Sequence, residues 1–255
     1  MKCLFSYMTA AILFATILPS SSSTAAPQGA CELADIGAAT VATVRDGRTL
    51  VLTDGREIRL AAIEVTDETR SALQALVVSG DVQLKELRRQ RDRYGRSVAF
   101  VFIDNSKQSV QQALLDQGHA RVSARIGDKT CAELLLSSER TARAARRGLW
   151  ADPNFAPLRS ENITRIAAAR GLFTLVEGKV LSVRESGATI YLNFGRRWTQ
   201  DFTVTILKRH RREFVTAGID PKRLEGRPIR VRGWIEQRGG PVIEAAVPEQ
   251  IELVE

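Results

Sequence analysis

Short runs rich in apolar and β-branched residues alternate with polar turns along residues 41–67, VATVRDGRTLVLTDGREIRLAAIEVTD. The turns carry Asp-Gly pairs at 46–47 and 54–55, and such pairs between apolar runs are a strong hairpin signal. The pattern predicts three short antiparallel strands, including runs at 49–53 and 58–63. Because Glu64, Asp67 and Glu68 follow the last run, we expect carboxylates at one rim of this sheet.

Helical spacing follows this stretch. Residues 66–78 predict a helix, with Thr66 or Asp67 as its N-cap and Gly80 as its stop. Two strands then flank a polar turn at 91–96, and two more helices are predicted at 109–117 and 131–147. Three strands, a helix, two strands and two helices predict an OB-fold barrel with added helices, which is a mainly β fold with α elements.

The C-terminal part shows a similar order of elements. Residues 151–171 are interpreted as a connector with a short helical segment, and residues 172–255 as a further domain. The strands predicted there are 174–183, 189–194, 202–207, 229–236 and 242–246, with a helix at 208–217. This order favours a second OB-like β-barrel, so we expect two domains, at 31–150 and 172–255.

The first 26 residues have the features of an export signal. Lys2 gives a positive start, residues 4–18 are mostly apolar, and small residues at 23–26 offer cleavage after Ala25 or Ala26. The apolar run is too short to predict a membrane span. We therefore expect a periplasmic or secreted mature protein with no transmembrane segment. A lipoprotein signal at Cys31 fits less well, because this cysteine lies well past the apolar run.

Two cysteines, Cys31 and Cys131, lie beyond the signal, and Cys3 lies within it. An even pair in an exported protein predicts a disulfide. It would join the N-terminal arm to the start of the last helix of the first domain. Two isolated cysteines with no nearby histidine do not have the spacing of a zinc site.

The chain is basic, with 37 Lys and Arg against 29 Asp and Glu and a net charge of +8. Such a charge favours polyanionic partners, and 44% hydrophobic residues are typical of a globular protein. Four arginines of the third predicted helix, at 140, 143, 146 and 147, lie opposite its apolar stripe. They form either a solvated face or a patch for nucleic acid.

Several aromatic and histidine side chains have two interpretations. Trp198, Phe202 and Trp234, near the basic run at 208–212, either pack in the core or stack on single-stranded nucleic acid. Tyr94 either stacks on a base or sugar or packs its own turn. His119 is a weak general-base candidate, because nothing places a nucleophile beside it.

Two arginines are predicted near the acidic rim. Arg59 precedes Glu64 on the same predicted strand, and Arg96 closes the polar turn RDRYGR at 91–96. A guanidinium is a planar double donor that suits phosphate. Arginines and carboxylates on one scaffold can hydrolyse a phosphodiester when carboxylates hold a metal and orient water, and arginines stabilise the charge on the phosphate.

From about residue 39 to residue 150, these segments resemble the staphylococcal nuclease (thermonuclease) family. The similar segments, in family order, are DGRT at 46–49, RLAAIEVTD at 59–67, DRYGR at 92–96, LLDQGHARV at 114–122 and ERTARAARRGLW at 139–150. The resemblance implies a nuclease-like OB-fold barrel, DNA or RNA as the partner, and Ca²⁺ as the cofactor of hydrolysis.

The resemblance also implies roles for single residues. Arg59 and Arg96 match the two phosphate-binding arginines, and Asp67 stands at the position of the general-base glutamate, so these three are the expected catalytic residues. Glu64 stands at the position of one calcium ligand. Arg48 stands where the family has a second ligand, an aspartate. The long loop that follows the acidic cluster in the family is largely missing here.

Arg48 leaves two functions open. A guanidinium repels calcium, so we expect Arg48 to pair with Glu64 or Asp67 and to fill the cation position. The protein would then be a non-catalytic scaffold that binds nucleic acid or another protein. In the alternative, Asp46, Glu64 and Asp67 build a displaced metal site, and the protein is an exported metal-dependent phosphodiesterase.

Overall fold

The computed structural model describes residues 31–78, 80–87, 91–103 and 106–254. The predicted export signal at 1–26 lies outside the described residues. Within the part of the chain that is described, no helix is both long and apolar enough to cross a membrane.

The N-terminal part begins with strands and ends with a long helix. Its elements are β1 (Ala34–Asp46), β2 (Thr49–Leu52), β3 (Glu57–Leu60), β4 (Ile63–Val65), α1 (Thr69–Leu76), β5 (Asp81–Glu86), β6 (Ser97–Ile103), α2 (Val110–Asp116), β7 (Ala120–Val122) and α3 (Lys129–Ala144). Side-chain caps fix the starts of two helices. Ser109 Oγ accepts from the Gln112 N–H before α2, and Asp128 Oδ1 accepts from the Cys131 N–H before α3.

Five strands close a barrel in the order β1-β2-β3-β6-β5. Neighbouring strands in the barrel pair antiparallel, except that β3 and β6 pair in parallel, with Arg59 opposite Val98. The 13 residues of β1 are enough to pair with β5 through its first half and with β2 through its second half. This mixed fold with an OB-like barrel is the one that the sequence predicts.

Apolar side chains fill the barrel and attach its helices. Leu50, Ile58 and Leu84 are fully buried inside, and Leu114 of α2 and Leu135 of α3 belong to the same core. Because both helices contribute to this core, they are held against the strands that carry the candidate site.

The predicted strand at 58–63 is wrong at its end, because the chain leaves the barrel after Leu60. Ala62 has a left-handed backbone conformation with φ of 62°, and the following strand β4 pairs with β7 outside the barrel. Glu64 therefore does not lie on the strand of Arg59. The helix predicted at 66–78 begins later, at Thr69, with Glu68 as its N-cap instead of the predicted Thr66 or Asp67.

The C-terminal part is mostly strand. Its elements are β8 (Leu158–Arg159), α4 (Ile163–Ala168), β9 (Phe173–Lys179), β10 (Ser182–Ser186), β11 (Thr189–Asn193), β12 (Thr203–Leu207), α5 (Arg211–Thr216), β13 (Pro228–Trp234), β14 (Glu236–Arg238), β15 (Gly240–Glu244) and β16 (Ile251–Leu253). The strand predicted at 174–183 is divided into β9 and β10, and the helix predicted at 208–217 begins as a 3₁₀ turn at Lys208–His210.

These strands form two sheets around a second core. One sheet has the order β10-β11-β12-β15-β14 and the other β16-β13-β9-β8. Val204, Phe214 and Val231 are fully buried in this core, and Leu158 of β8 and Ile166 of α4, from the predicted connector, belong to it as well. Closure of these strands into a second OB-like barrel, and the domain limits given above, stay predictions.

A buried arginine joins the two parts of the chain. Arg232 of β13 donates to both carboxylate oxygens of Glu139 in α3, at 2.9 and 3.0 Å, and to Glu252 of β16 at 2.5 Å. Burial alone would lower the pKa of Arg232, but the two carboxylates raise it, so the guanidinium stays charged. Arg143 pairs with Glu139 at 2.8 Å, so the interpretation of its helix face as simply solvated is wrong for this residue.

Cys31 and Cys131 form the predicted disulfide. Cys131 is fully buried in the first turn of α3, so the bond attaches the N-terminal arm to this helix. The two cysteines are 100 residues apart, and a disulfide that closes so long a loop strongly restricts the unfolded chain.

Candidate functional site

A cleft of about 620 Å³ opens where the end of β3, β4 and the polar turn at 91–96 meet. We call it the arginine cleft, because its charged lining consists of Arg48, Arg59, Glu64, Asp92, Arg93 and Arg125. Four arginines against two carboxylates give this lining a positive potential, which attracts anions. Trp234 of β13, in the C-terminal part, also lines the cleft.

Arg59 carries a guanidinium that faces the cleft and is free to bind a ligand, as far as the described residues show. It lies on β3 between the buried residues Ile58 and Leu60, so strand alternation turns its side chain away from the barrel core. Its guanidinium makes no hydrogen bond or ion pair with a described residue, although the charges of Glu64 and Asp92 act on it. Burial, followed by the charge of Arg48, lowers the pKa of Arg59, and the negative charge of a bound anion would raise it again.

The polar turn fixes the orientation of Arg96. Its Nε donates to Asp92 Oδ2 at 2.7 Å, and its Nη1 donates to Thr49 Oγ1 at 3.3 Å. Burial alone would raise the pKa of Asp92, but hydrogen bonds from Arg96 and the Tyr94 N–H lower it, so the carboxylate stays ionised. At this turn, Asp92 and Tyr94 form the wall of the cleft. The positive charge of Arg96 lies close enough to lower the pKa of Arg59.

Arg48 pairs with Glu64, which is one of the two pairings expected from the sequence. Arg48 Nη1 lies 2.9 Å from Glu64 Oε2, and the two side chains are 28% and 14% exposed. Glu64 also lies opposite Arg121 in the pairing of β4 with β7. A fixed guanidinium therefore neutralises the carboxylate that the resemblance assigns to calcium.

The other two acidic candidates are not brought to this pair. Asp46 is exposed, and its Oδ1 accepts from the Arg48 N–H at 2.9 Å, which closes the turn between β1 and β2. Asp67 is exposed and lies outside the set of side chains that line the arginine cleft. The structure thus groups Arg59, Arg48 and Glu64, with Arg96 close by.

These residues do not fit a calcium ion. Calcium takes about six to eight oxygen ligands. Here Glu64 accepts from the Arg48 side chain and Asp46 accepts from the Arg48 backbone. In the ranges that the structure describes, no three Asp, Glu, His or Cys side chains form a group that could hold a metal. The displaced metal site of Asp46, Glu64 and Asp67 is not formed in this arrangement.

Tyr94 is both packed and accessible. Its ring lies 4.9 Å from the Arg93 guanidinium and 5.2 Å from that of Arg96, distances typical of cation–π contacts. The side chain nevertheless remains 67% exposed at the wall of the arginine cleft. His119 contributes a backbone carbonyl, which accepts from Thr69 Oγ1, and does not line the cleft.

The sequence assigned no role to Arg125 and only an ambiguous one to Trp234. Arg125 lies in the loop after β7, where no motif marks it. The core-packing interpretation is right for Phe202, which is fully buried, but wrong for Trp198 and Trp234, which are 67% and 49% exposed. Exposure of a tryptophan at a strand end depends on which elements pack against it, and the sequence alone does not contain this information.

Residues 36–152 match the family model described as staphylococcal nuclease homologue. This part of the chain is a staphylococcal nuclease domain. The match covers the closed barrel and α1 to α3, and it ends before β8, so the two C-terminal sheets and Trp234 lie outside it. No curated protein matches the chain. A staphylococcal nuclease domain suggests binding of nucleic acid as nucleases bind it, and the arginine cleft belongs largely to this domain.

Proposed function

We propose that the arginine cleft binds the phosphodiester backbone of a nucleic acid and that the domain has lost efficient calcium-dependent hydrolysis. The Arg48–Glu64 ion pair carries this proposal. It places a fixed positive charge on the carboxylate that a calcium ion would need, while Arg59 beside it remains without a partner among the described residues.

Phosphate binding follows from the chemistry of the remaining groups. Arg59 offers a partly buried double donor, and Arg96 is oriented by Asp92. In a partly buried cleft such donors bind an anion more strongly than exposed ones do, because water screens them less. The positive lining would also attract a polyanion from a distance, with a strength that falls as salt is added.

Export of the mature protein is also proposed from the first 26 residues. The disulfide supports it, because structural disulfides persist in oxidising compartments. Recovery of the folded protein from the bacterial cytoplasm with residues 1–26 still attached would contradict export.

The proposed function is tested by binding of a labelled oligonucleotide to the mature, oxidised protein in the presence of a chelator. Arg59→Ala should raise Kd by about 10- to 100-fold, because a hydrogen-bonded charged contact contributes about 1.5–3 kcal/mol. Arg56→Ala is the matched control. Arg56 lies in the turn before β3, is exposed and pairs with Asp54, away from the cleft.

The control variant should bind as the wild type does, and wild-type affinity should fall steeply with salt. Equal affinity of the Arg59→Ala and wild-type proteins would refute a phosphate site in the arginine cleft. An equal loss in both variants would show only a general effect of surface charge, and it would count against the proposal as well.

A further inference from the structure

Trp234 brings an aromatic surface from the C-terminal part to the arginine cleft. It ends β13, outside the staphylococcal nuclease domain, and lines the same cavity as Arg59. Its side chain is 49% exposed, whereas Trp150, which is a core residue, is 6% exposed. A half-exposed tryptophan on the wall of a positive cleft indicates a surface for a flat ligand group rather than a core residue.

The position of Trp234 is fixed by buried contacts of its own strand. Residues two apart on a strand point to the same face, so Trp234 shares its face with Arg232. Arg232 is 1% exposed and bonded to Glu139 of the nuclease domain. Between them, a Cβ on Gly233 would meet Ile243 Cγ2 at 2.6 Å, so β13 packs closely against β15 there.

A chain of contacts also connects Trp234 to Glu64, an acidic residue of the cleft. It lies opposite Phe173 in the pairing of β13 with β9, and the two rings make a T-shaped contact at 6.0 Å. Phe173 in turn contacts Arg121, which donates to the Phe173 carbonyl at 2.8 Å and lies opposite Glu64. A T-shaped contact covers at most one face of the indole, so one face remains free of Phe173.

A second cavity, of about 490 Å³, adjoins the same tryptophan. Trp234 and Glu64 line both cavities, and the second one is otherwise lined mainly by apolar groups such as Phe155, Leu172 and Phe173. A strand bound by its phosphate at Arg59 would therefore find an aromatic surface and a partly apolar recess beside it. This combination suits a nucleobase that has left its stack.

We propose that Trp234 stacks on one base of a single-stranded nucleic acid whose phosphate is bound by Arg59. This proposal rests on the proposed function and specifies its substrate class. In a duplex, neighbouring base pairs cover both faces of each base, so this contact selects single strands or strand ends. The C-terminal part thereby supplies part of the binding site that the nuclease domain lacks on its own.

The experiment measures binding of a labelled oligothymidine of about 12 nucleotides to the mature, oxidised protein with chelator present. A second probe has the same backbone but lacks the bases. Trp234→Ala is compared with Trp234→Phe and with the matched control Trp198→Ala. Trp198 is an exposed tryptophan of the same part that lines a different cavity.

Trp234→Ala should weaken binding of the oligothymidine by about tenfold, which lies within the range measured for base–aromatic stacking. Trp234→Phe should retain most of the affinity, Trp198→Ala should match the wild type, and the base-free probe should bind wild type and Trp234→Ala equally. Equal loss for both probes would show that Trp234 only maintains the cleft, and it would overturn the stacking proposal.

The two proposals fail in different ways. If Trp234→Ala binds the oligothymidine as the wild type does while Arg59→Ala binds it weakly, stacking is refuted and the phosphate cleft stands. If neither variant changes the affinity, both proposals are refuted.

Discussion

At the scale of single residues, Arg48 decides what the arginine cleft can do. Its guanidinium pairs with Glu64, and its backbone N–H takes up an oxygen of Asp46. One residue thus occupies two of the oxygens that a cation would need. The guanidinium of the neighbouring Arg59 has no such partner among the described residues, and we propose that it binds the phosphate.

Arg48→Asp should create weak calcium binding. The change removes the fixed positive charge and places a carboxylate beside Glu64, and such a pair of acidic groups favours a hard cation. Isothermal titration should show a Kd of about 10⁻⁴–10⁻³ M, which is the weak end of the range for calcium sites in proteins. The wild type should show no saturable heat under the same conditions.

Arg45→Asp provides a matched control. Arg45 lies on β1 and pairs with Glu57, with 59% of its side chain exposed. The substitution therefore also places a carboxylate near a glutamate, but on the outer surface. Calcium binding by both variants, or by neither, would contradict the role given to Arg48.

The sequence predicted the positions of Arg59 and Arg96 more readily than those of the acidic residues. Arg59 and Arg96 lie in segments whose turns and strands have clear signals. The position of Glu64 depends on Ala62, which adopts a left-handed conformation that no glycine or asparagine marks in the sequence. The one-strand interpretation of 58–63 therefore failed at the point where the chain turns out of the barrel.

At the scale of elements, local patterns determined most of the nuclease domain. The Asp-Gly pairs form turns between strands, and the apolar runs of β5 and β6 form strands, as predicted. Ser109 and Asp128 cap the helices that follow them. The short strands β4, β7 and β8 were not predicted as such, since two or three residues carry too little periodicity to recognise. Their pairing depends on tertiary contacts, and β4 with β7 positions Glu64 opposite Arg121.

The C-terminal elements show the same limit. The turn at 180–181 between β9 and β10 separates two strands that the sequence joined, and it sends them into different sheets. β13 belongs to one sheet, while β14 and β15 belong to the other. This division places Trp234 at the end of one sheet and beside the nuclease domain, where it can reach the arginine cleft.

At the scale of the whole molecule, the charge network around Arg232 couples the nuclease domain to the C-terminal sheets. Arg232→Met should lower the free energy of unfolding by about 3–5 kcal/mol, because the buried Glu139 would keep only Arg143 as a charged partner and Glu252 would lose its closest one. Urea unfolding followed by circular dichroism measures this change. Arg238→Met, at an exposed arginine paired with Glu236 and Glu244, should cost less than about 1 kcal/mol.

The same comparison tests coupling between the two parts. In the wild type, one buried network should make both parts unfold together, and its loss should separate the transitions. Equal stability of the two variants, with a single transition in each, would show that Arg232 does not hold the parts together. The position of Trp234 at the wall of the arginine cleft would then have to depend on contacts other than those of Arg232.

The central proposed property of this protein is that it binds single-stranded nucleic acid without cleaving it in a calcium-dependent way. The most direct measurement incubates single-stranded DNA and RNA with the mature, oxidised protein, with calcium or with chelator, and follows binding and cleavage in the same samples. We predict binding that is independent of calcium and falls with salt, without calcium-dependent cleavage. Cleavage that requires calcium and disappears in Arg59→Ala would show a working nuclease site, and it would contradict the role assigned to the Arg48–Glu64 pair.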